Sequence, residues 1–408
     1  MATHSNEHHI PNPEKPYQPY MDVRPPTQAG FSPESGAPLK EQEIEADERE
    51  ARAERESTPE PKDFNIAFPG HLPTPPFIHI QGVPNFRDLG GYQCQPSSTA
   101  SSTQDGTTYT LRRGLLYRCA HPTHLTPQGA EYLTQKLDVH DMYDLRSAPE
   151  IARLANTVAT TGKDVYPLAD PSTGCVDKVP GLTRHFTPVY QSEDYGPVAL
   201  AKKLQWYTTV HSHDENAGFA YSEGFVKAYR DIATHGAGAY TTMFRHLLER
   251  PDEPLIFHCT AGKDRTGVFG GMIMKLVGVD EEVICWEYAL TEPGLGEWRQ
   301  QFIERISAGG LGQGGIASSN SSGGERPGMS REEAARICGS RAGNMRAFLK
   351  VVLLGEFGGV ENYLRKQCGF SDQEIGKLRD NLIARVKEED VVRPVDVPGW
   401  TPDGGVQD

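Results

Sequence analysis

The chain has 408 residues, 55 acidic and 41 basic, for a formal net charge of −14. Such a chain lacks the broad basic face that releases counterions from nucleic acid, so nucleic acid is excluded as a partner; a local anion site needs only one loop and one arginine. Hydrophobic residues make up 37%, low for a chain folded from end to end, which predicts that part of it is disordered.

Residues 1–75 read as an acidic, proline-rich tail. The N-terminus is polar, with no apolar stretch of signal-peptide type, and Met1-Ala2 is not a myristoylation start. Lys40 to Glu56 is a charge run whose only large aliphatic residue is Ile44. It reads as solvated, with a partner-binding helix as the alternative. A globular pattern follows, which places a catalytic domain at 76–390. Gly114 to Arg118 and Asp141 to Leu145 read as short strands, with a helix from Thr126 to Leu137 between them. Helical spacing runs from Ala199 to Arg250 and carries Trp206, Tyr207, Phe219, Phe225, Tyr229 and Phe244. Pro254 to His258 is a short apolar run, as in a buried strand, and Val268 to Val277 is apolar on most faces, as in a core helix. Gly309 to Gly328 reads as a flexible Gly/Ser-rich loop. Ser330 with Glu333, and Ser371 with Glu374, have capping-box spacing. Residues 391–408 read as a short tail. The alternation of strands and helices predicts an α/β fold with a mostly parallel central sheet flanked by helices.

No run of about eighteen apolar residues predicts a membrane span. Seven widely spaced cysteines, with no C-x-x-C pair, predict reduced thiols and a cytoplasmic location rather than a zinc site. Without a signal peptide, the sequon at Asn320 carries no weight.

The chemistry concentrates in His258-Cys-Thr-Ala-Gly-Lys-Asp-Arg-Thr-Gly267, between the expected strand and the core helix. A tight loop running into a helix N-terminus aims backbone N–H groups at one point and binds a phosphate-sized anion there. Cys259 opens the loop and Arg265 closes it, with a planar fork suited to two phosphoryl oxygens. The positive field of such a loop favours a thiolate, the nucleophilic form of cysteine. That thiolate would attack phosphorus, expel the alcohol or phenol, and be released by water. Thr260, Ala261, Gly262, Lys263, Thr266 and Gly267 are the candidate phosphate-binding residues, with Thr266 a hydroxyl donor to the sulfur. His258 is expected to support the loop rather than act as an acid. The chemistry asks for no metal and no cofactor.

The loop and four other segments resemble the atypical tyrosine/serine protein phosphatases of bacteria and fungi. These segments are Asn85-Phe-Arg-Asp-Leu-Gly-Gly91, Leu116-Tyr-Arg-Cys-Ala120, Asp144-Leu-Arg-Ser147 and Gly355 to Leu364. The resemblance covers most of residues 77–387 but is poor between Ser147 and Pro254. Cys119 stands where serine is usual and Phe357 where tyrosine is usual. It implies a cysteine-phosphatase-like fold, Cys259 as nucleophile, Arg265 as phosphate clamp and Asp264 as general acid. The residues themselves leave open whether Asp264 is an acid or a helix cap, and Asp194 is a second candidate. Lys263 is either a second cation for substrate phosphates or a surface lysine. Arg87, Asp88 and Arg146 are expected to be structural.

The leading expectation is a protein-tyrosine phosphatase, with phosphoserine and phosphothreonine as further substrates. Its alternatives are a phosphoinositide phosphatase, a non-catalytic phosphate-recognition module, and a sulfurtransferase carrying a persulfide on Cys259. A lid formed by the Gly/Ser-rich loop is a further expectation.

Overall fold

The computed structural model describes residues 72–95, 107–161, 165–191, 206, 212–214, 219–307 and 330–406. The charge run at 40–56, Asp194 and the Gly/Ser-rich loop lie outside them. In chain order the elements used below are β1 (Arg87–Asp88), β2 (Thr107–Leu111), β3 (Leu116–Cys119), α1 (Pro127–Glu131), β4 (Asp141–Asp144), α2 (Ala148–Thr161), β5 (Thr183–Phe186), α3 (Glu223–His235), α4 (Ala237–Glu249), β6 (Leu255–His258), α5 (Asp264–Leu276), α6 (Glu281–Ala289), α7 (Glu297–Ser307), α8 (Arg331–Cys338), α9 (Ala342–Ala347), α10 (Val360–Cys368), α11 (Asp372–Leu382) and β7 (Ile383–Lys387).

Five strands form the central sheet in the order β1-β3-β6-β4-β5. β3, β6, β4 and β5 run parallel, and β1 is antiparallel to β3. The inner strands are short apolar runs because a parallel sheet is covered on both faces. Every residue of β3, β4 and β6 is buried. Along β6 the pleat sends Leu255 and Phe257 into one core and Ile256 into the other. The first core holds α3–α6 and α9; the second packs Phe86, Leu125, Leu133, Leu154 and Val158 under the opposite face. In register, Cys119 of β3 and Asp144 of β4 flank His258 of β6. The carboxyl ends of three parallel strands therefore meet where α5 begins, the usual ligand position in an open α/β sheet.

The expected strands and the core helix form at the expected places. Both capping boxes form, Ser330 with Glu333 and Ser371 with Glu374, each with reciprocal hydrogen bonds. The Thr126 side chain caps α1 by accepting from Gly129 N, 3.1 Å. That helix is α-helical only to Glu131 and continues as a π-helical turn through Lys136.

Two expectations need correction. The stretch expected to be helical from Ala199 holds α3 and α4, but Phe219 lies in a strand, Phe219–Tyr221, paired antiparallel with Ser212–Asp214. The turn-forming residues Asp214-Glu-Asn-Ala-Gly218 interrupt the helical spacing. Residues 391–406 are not a loose tail. Val392 N donates to Gly91 O at 2.8 Å, Ala342 N to Pro402 O at 2.8 Å, and Val397 and Trp400 are buried in the main core. Three apolar residues, widely spaced among prolines and glycines, give no periodicity by which to see this.

β1, β3 and α6 are joined by charge. Glu287, 1% exposed, takes Arg87 Nε at 2.6 Å and Arg118 Nη1 at 2.7 Å, and both arginines are fully buried. Arg87 also reaches the Glu287 carbonyl (3.1 Å) and Thr291 Oγ1 (3.1 Å). Burial and the neighbouring Arg118 pull Arg87 down to about 10, against the opposing pull of Glu287. Burial would raise Glu287, but the two guanidiniums more than reverse this and hold it below the ordinary carboxylate range. Removing the one anion between two buried cations leaves both uncompensated. Glu287→Ala is expected to destabilise the fold by about 3–5 kcal/mol, read as a lower urea midpoint.

Candidate active site

β6 ends at His258, and the chain enters the loop at Cys259, which is 3% exposed. Three contacts hold the loop from outside. Arg118 Nη2 donates to Gly262 O at 2.8 Å, Asn85 Nδ2 donates to Ala261 O at 3.2 Å, and His121 N donates to Thr260 O at 3.1 Å. A planar trans peptide points its N–H opposite to its C=O. Drawing these carbonyls outward turns the following N–H groups toward the loop's interior, the arrangement that an anion cradle requires. Gly262 permits the turn: its φ is +64°, and a Cβ there would lie 2.1 Å from Cys119 O. Asn85, itself at φ 60°, and Arg118 are site-building residues that the sequence did not mark as such.

Arg265 lies on the first turn of α5 and is 8% exposed. Its guanidinium is held end-on by Glu150 of α2, Nη1 to Oε2 at 2.7 Å and Nη2 to Oε1 at 2.8 Å. Glu150 also accepts from Ser147 N and Oγ, both 2.9 Å, and from Thr260 Oγ1 at 3.0 Å. Burial pushes its carboxyl up, but the Arg265 charge and these hydrogen bonds outweigh that and hold it at about 2. Glu150 therefore stays ionised and fixes the fork's orientation. Only its position, in Asp144-Leu-Arg-Ser-Ala-Pro-Glu150, could have signalled it: an acid in the first turn of the helix that follows the strand.

Asp264 opens α5. Tyr229 OH donates to its Oδ1 at 3.1 Å, and Lys263 Nζ is 3.5 Å away. Tyr229 also pairs with the Tyr288 hydroxyl. The Asp264 side chain is 21% exposed, so it reaches solvent and a tyrosine at once. Lys263 is not a surface lysine. It is 2% exposed, donates to Ile337 O and to Gly339 O (3.1 Å), and stands 5.1 Å over the Phe225 ring. Its charge thus ties the loop to the end of α8.

Gly267 N donates to Lys263 O at 2.6 Å, so this N–H serves the helix, and a Cβ there would meet the Tyr288 ring at 2.8 Å. Thr266 is fully buried and its hydroxyl makes no hydrogen bond, so the expected bond to the sulfur is not formed here. Arg146 is structural, as expected: it binds Asp144 through Nε (2.9 Å) and Nη2 (2.7 Å). Asp88 caps the entry turn by accepting from Gly90 N and Gly114 N, each at 2.8 Å.

Two other features lie apart from the loop. Asp141, His246 and Glu253 converge, but Arg250 already supplies the cation, 2.9 Å from Asp141 and 3.0 Å from Glu253. A cavity of about 630 Å³ sits at the far end of α5, beside Lys275, Leu276 and Val360, and none of its walls belongs to the loop.

The model of a family described as the tyrosine phosphatase family matches residues 78–384. The chain belongs to that family. Two relatives place this tyrosine phosphatase family member more closely. A protein named tyrosine-protein phosphatase from Nostoc commune is 31% identical over 166 residues, 40% of this chain. The triple specificity protein phosphatase PtpB of Mycobacterium tuberculosis is 28% identical over 234 residues, 56% of this chain. The chain spans 50% of the first relative's length and 73% of the second's. The loop and its Arg118 and Asn85 supports fall inside the residues matched to the family.

His258 is fully buried, with Nδ1 3.1 Å from Cys259 O and Nε2 3.9 Å from Asp144. Burial lowers its pKa to about 4, with Asp144 opposing and Arg146 adding to the fall. It is neutral at pH 7 and not an acid. The unfolded chain takes up this proton near 6.5, before the folded one does, so stability is full above that pH and is lost as pH falls toward 4. The fall is expected to be about 3 kcal/mol, and urea titrations between pH 4 and 7 should show a flatter profile for His258→Gln.

Proposed function

We propose that the protein is a cysteine-dependent phosphomonoesterase that acts on phosphotyrosine in proteins, with phosphoserine and phosphothreonine as further substrates. The observation that carries this reading is the loop itself. Cys259 and Arg265 stand at the two ends of a loop whose carbonyls are held outward by Asn85 and Arg118, and the arginine is oriented by Glu150.

The reaction follows from those groups. The Cys259 thiolate attacks phosphorus, an S–P bond forms, and the P–O bond to the leaving group breaks. Loop N–H groups and Arg265 hold the three non-bridging oxygens as charge builds on them. Asp264 gives its proton to the departing oxygen, then takes one from the water that cleaves the S–P bond. Tyr229 orients that carboxyl. The Thr266 hydroxyl is a donor without an acceptor, available to the sulfur when it becomes the leaving group.

The name of the mycobacterial relative credits that protein with triple specificity. A wider substrate range, phosphoinositides included, is therefore the second reading here. Lys263 does not favour it, because carbonyls of Ile337 and Gly339 already hold that ammonium group. Among the described residues no helix is long and apolar enough to cross a membrane, and all seven cysteines are free thiols.

Cys259→Ser is expected to abolish phosphate release from phosphotyrosine, phosphoserine and phosphothreonine peptides and from short-chain phosphoinositides. Binding of phosphopeptide without turnover by the unaltered protein would replace the enzyme by a recognition module. Asp264→Asn is expected to lower kcat by about a hundredfold on a phosphoserine peptide. It should do far less on an aryl phosphate whose leaving group needs no proton; an equal loss on both would remove Asp264 as the acid. Glu150→Gln, which leaves the fork without its counter-charge, is expected to reduce kcat/KM about tenfold, or 1.4 kcal/mol. An unchanged value would reduce Glu150 to a packing role.

A further inference from the structure

Two buried phenols stand behind the proposed acid. Tyr229 of α3 is fully buried and Tyr288 of α6 is 1% exposed. Tyr229 OH lies 3.1 Å from Asp264 Oδ1, and its oxygen also pairs with the Tyr288 hydroxyl. A phenol has one proton to donate. Tyr229 gives it to the carboxyl, so the hydrogen between the two phenols comes from Tyr288. Burial, and next the Asp264 charge, push the Tyr288 phenol well above its usual range, so it keeps that proton. The chain of donors therefore runs from Tyr288 to Tyr229 to Asp264. Packing holds its members in place. The Tyr229 ring meets Phe225, Phe348 and Tyr288 edge-on, at centroid distances of 5.8, 6.1 and 6.3 Å. The Tyr288 ring fills the space that a Cβ at Gly267 would enter.

The two carboxyl oxygens of Asp264 are consequently unlike. Oδ1 accepts from Tyr229 and has Lys263 Nζ 3.5 Å away. Among the described residues Oδ2 has no such donor. A proton on Oδ1 would meet the Tyr229 hydrogen head-on. To avoid it both phenols would have to turn, which leaves a buried O–H in need of a new acceptor. A proton on Oδ2 leaves the whole chain intact.

We propose that Tyr288, acting through Tyr229, is a positioning residue that keeps Oδ1 as a hydrogen-bond acceptor and so makes Oδ2 the oxygen from which Asp264 gives its proton. The proposal rests on Asp264 being the acid of the reading above. In the first step the Oδ2–H bond breaks and the proton goes to the bridging oxygen as the P–O bond breaks, which leaves a carboxylate. In the second, Oδ2 takes a proton from the water whose oxygen bonds to phosphorus as the S–P bond breaks. Tyr229 donates to Oδ1 throughout, so neither phenol gains or loses a proton. Its hydrogen bond strengthens as the carboxylate forms, because a charged acceptor binds a donor more tightly than a neutral one. The phenols therefore favour release of the proton as well as its direction.

The test compares Tyr229→Phe and Tyr288→Phe, which keep both rings, with the unaltered full chain. The quantity read is kcat/KM, which covers the steps up to departure of the leaving group. On a phosphoserine peptide it is expected to fall about tenfold in Tyr229→Phe and about threefold in Tyr288→Phe. On p-nitrophenyl phosphate, whose leaving group needs no proton, both falls should be much smaller. In an Asp264→Asn background neither change should lower it further, since members of one network do not act additively. Equal loss on both substrates, or the same loss added to that of Asp264→Asn, would reduce the phenols to packing and overturn the proposal. Infrared difference spectra across the acid titration locate the proton itself, on protein with carbon-13-labelled aspartate and with Asp264→Asn to assign the band. With the proton on Oδ2 the C=O bond runs to Oδ1, and its stretch should move to higher frequency when Tyr229→Phe removes the donor. An unmoved stretch would put the proton on Oδ1 and overturn the proposal. The spectra do not depend on turnover. A shifted stretch in a protein without phosphatase activity would therefore sink the enzymatic reading and leave the assignment of the oxygen standing.

Discussion

The loop depends on one buried anion. Glu287 neutralises Arg87 and Arg118, and Arg118 in turn holds the Gly262 carbonyl. Two guanidiniums do not stay in an apolar interior without a counter-charge, because desolvation alone costs several kcal/mol per ion. Once paired, they are stiff, directional donors. Arg87 fixes Asn85 and Arg118 fixes Gly262, so both side chains that pull loop carbonyls outward are anchored to one carboxylate on α6. The shape of the loop is thus set by an internal anion.

The same logic recurs around the loop. Glu150 anchors Arg265, Asp144 anchors Arg146 and Arg184, and the carbonyls of Ile337 and Gly339 anchor Lys263. Apart from Arg146, whose partner stands two residues before it, each cation is oriented by a partner from another segment. Preorganised charge needs no rearrangement as the transition state forms, which is why such sites are effective electrostatically. It also keeps positive field close to Cys259 while His258 stays neutral behind it. The Cys119 backbone lies against the loop, too close for any residue but glycine at position 262.

Local signals made much of this legible. Pro254 to Val277 reads as strand, loop and core helix because a buried parallel strand and a buried helix are both continuous apolar runs, and Gly262 marks the turn between them. The two capping boxes are also local, three residues apart, and both form. What was not legible lies far apart in the chain. Glu287 is 200 residues from Arg87, and Tyr229 is 35 from Asp264. Glu150 looks like any acid in a helix's first turn. Lys263 could be either surface or buried until α8 was in place. The packing of Val392, Val397 and Trp400 had no periodicity to announce it.

By itself, the sequence determined the chemistry on offer: a cysteine and an arginine at the two ends of a glycine-bearing loop between a strand and a helix. Those features depend on neighbours along the chain, and backbone geometry acts on them directly. Tertiary structure alone decided which charges hold that loop and which way Lys263 turns. Pairing of buried charges and the register of parallel strands are relations between distant segments. No stretch of sequence contains them; they arise only when folding brings those segments out of water together.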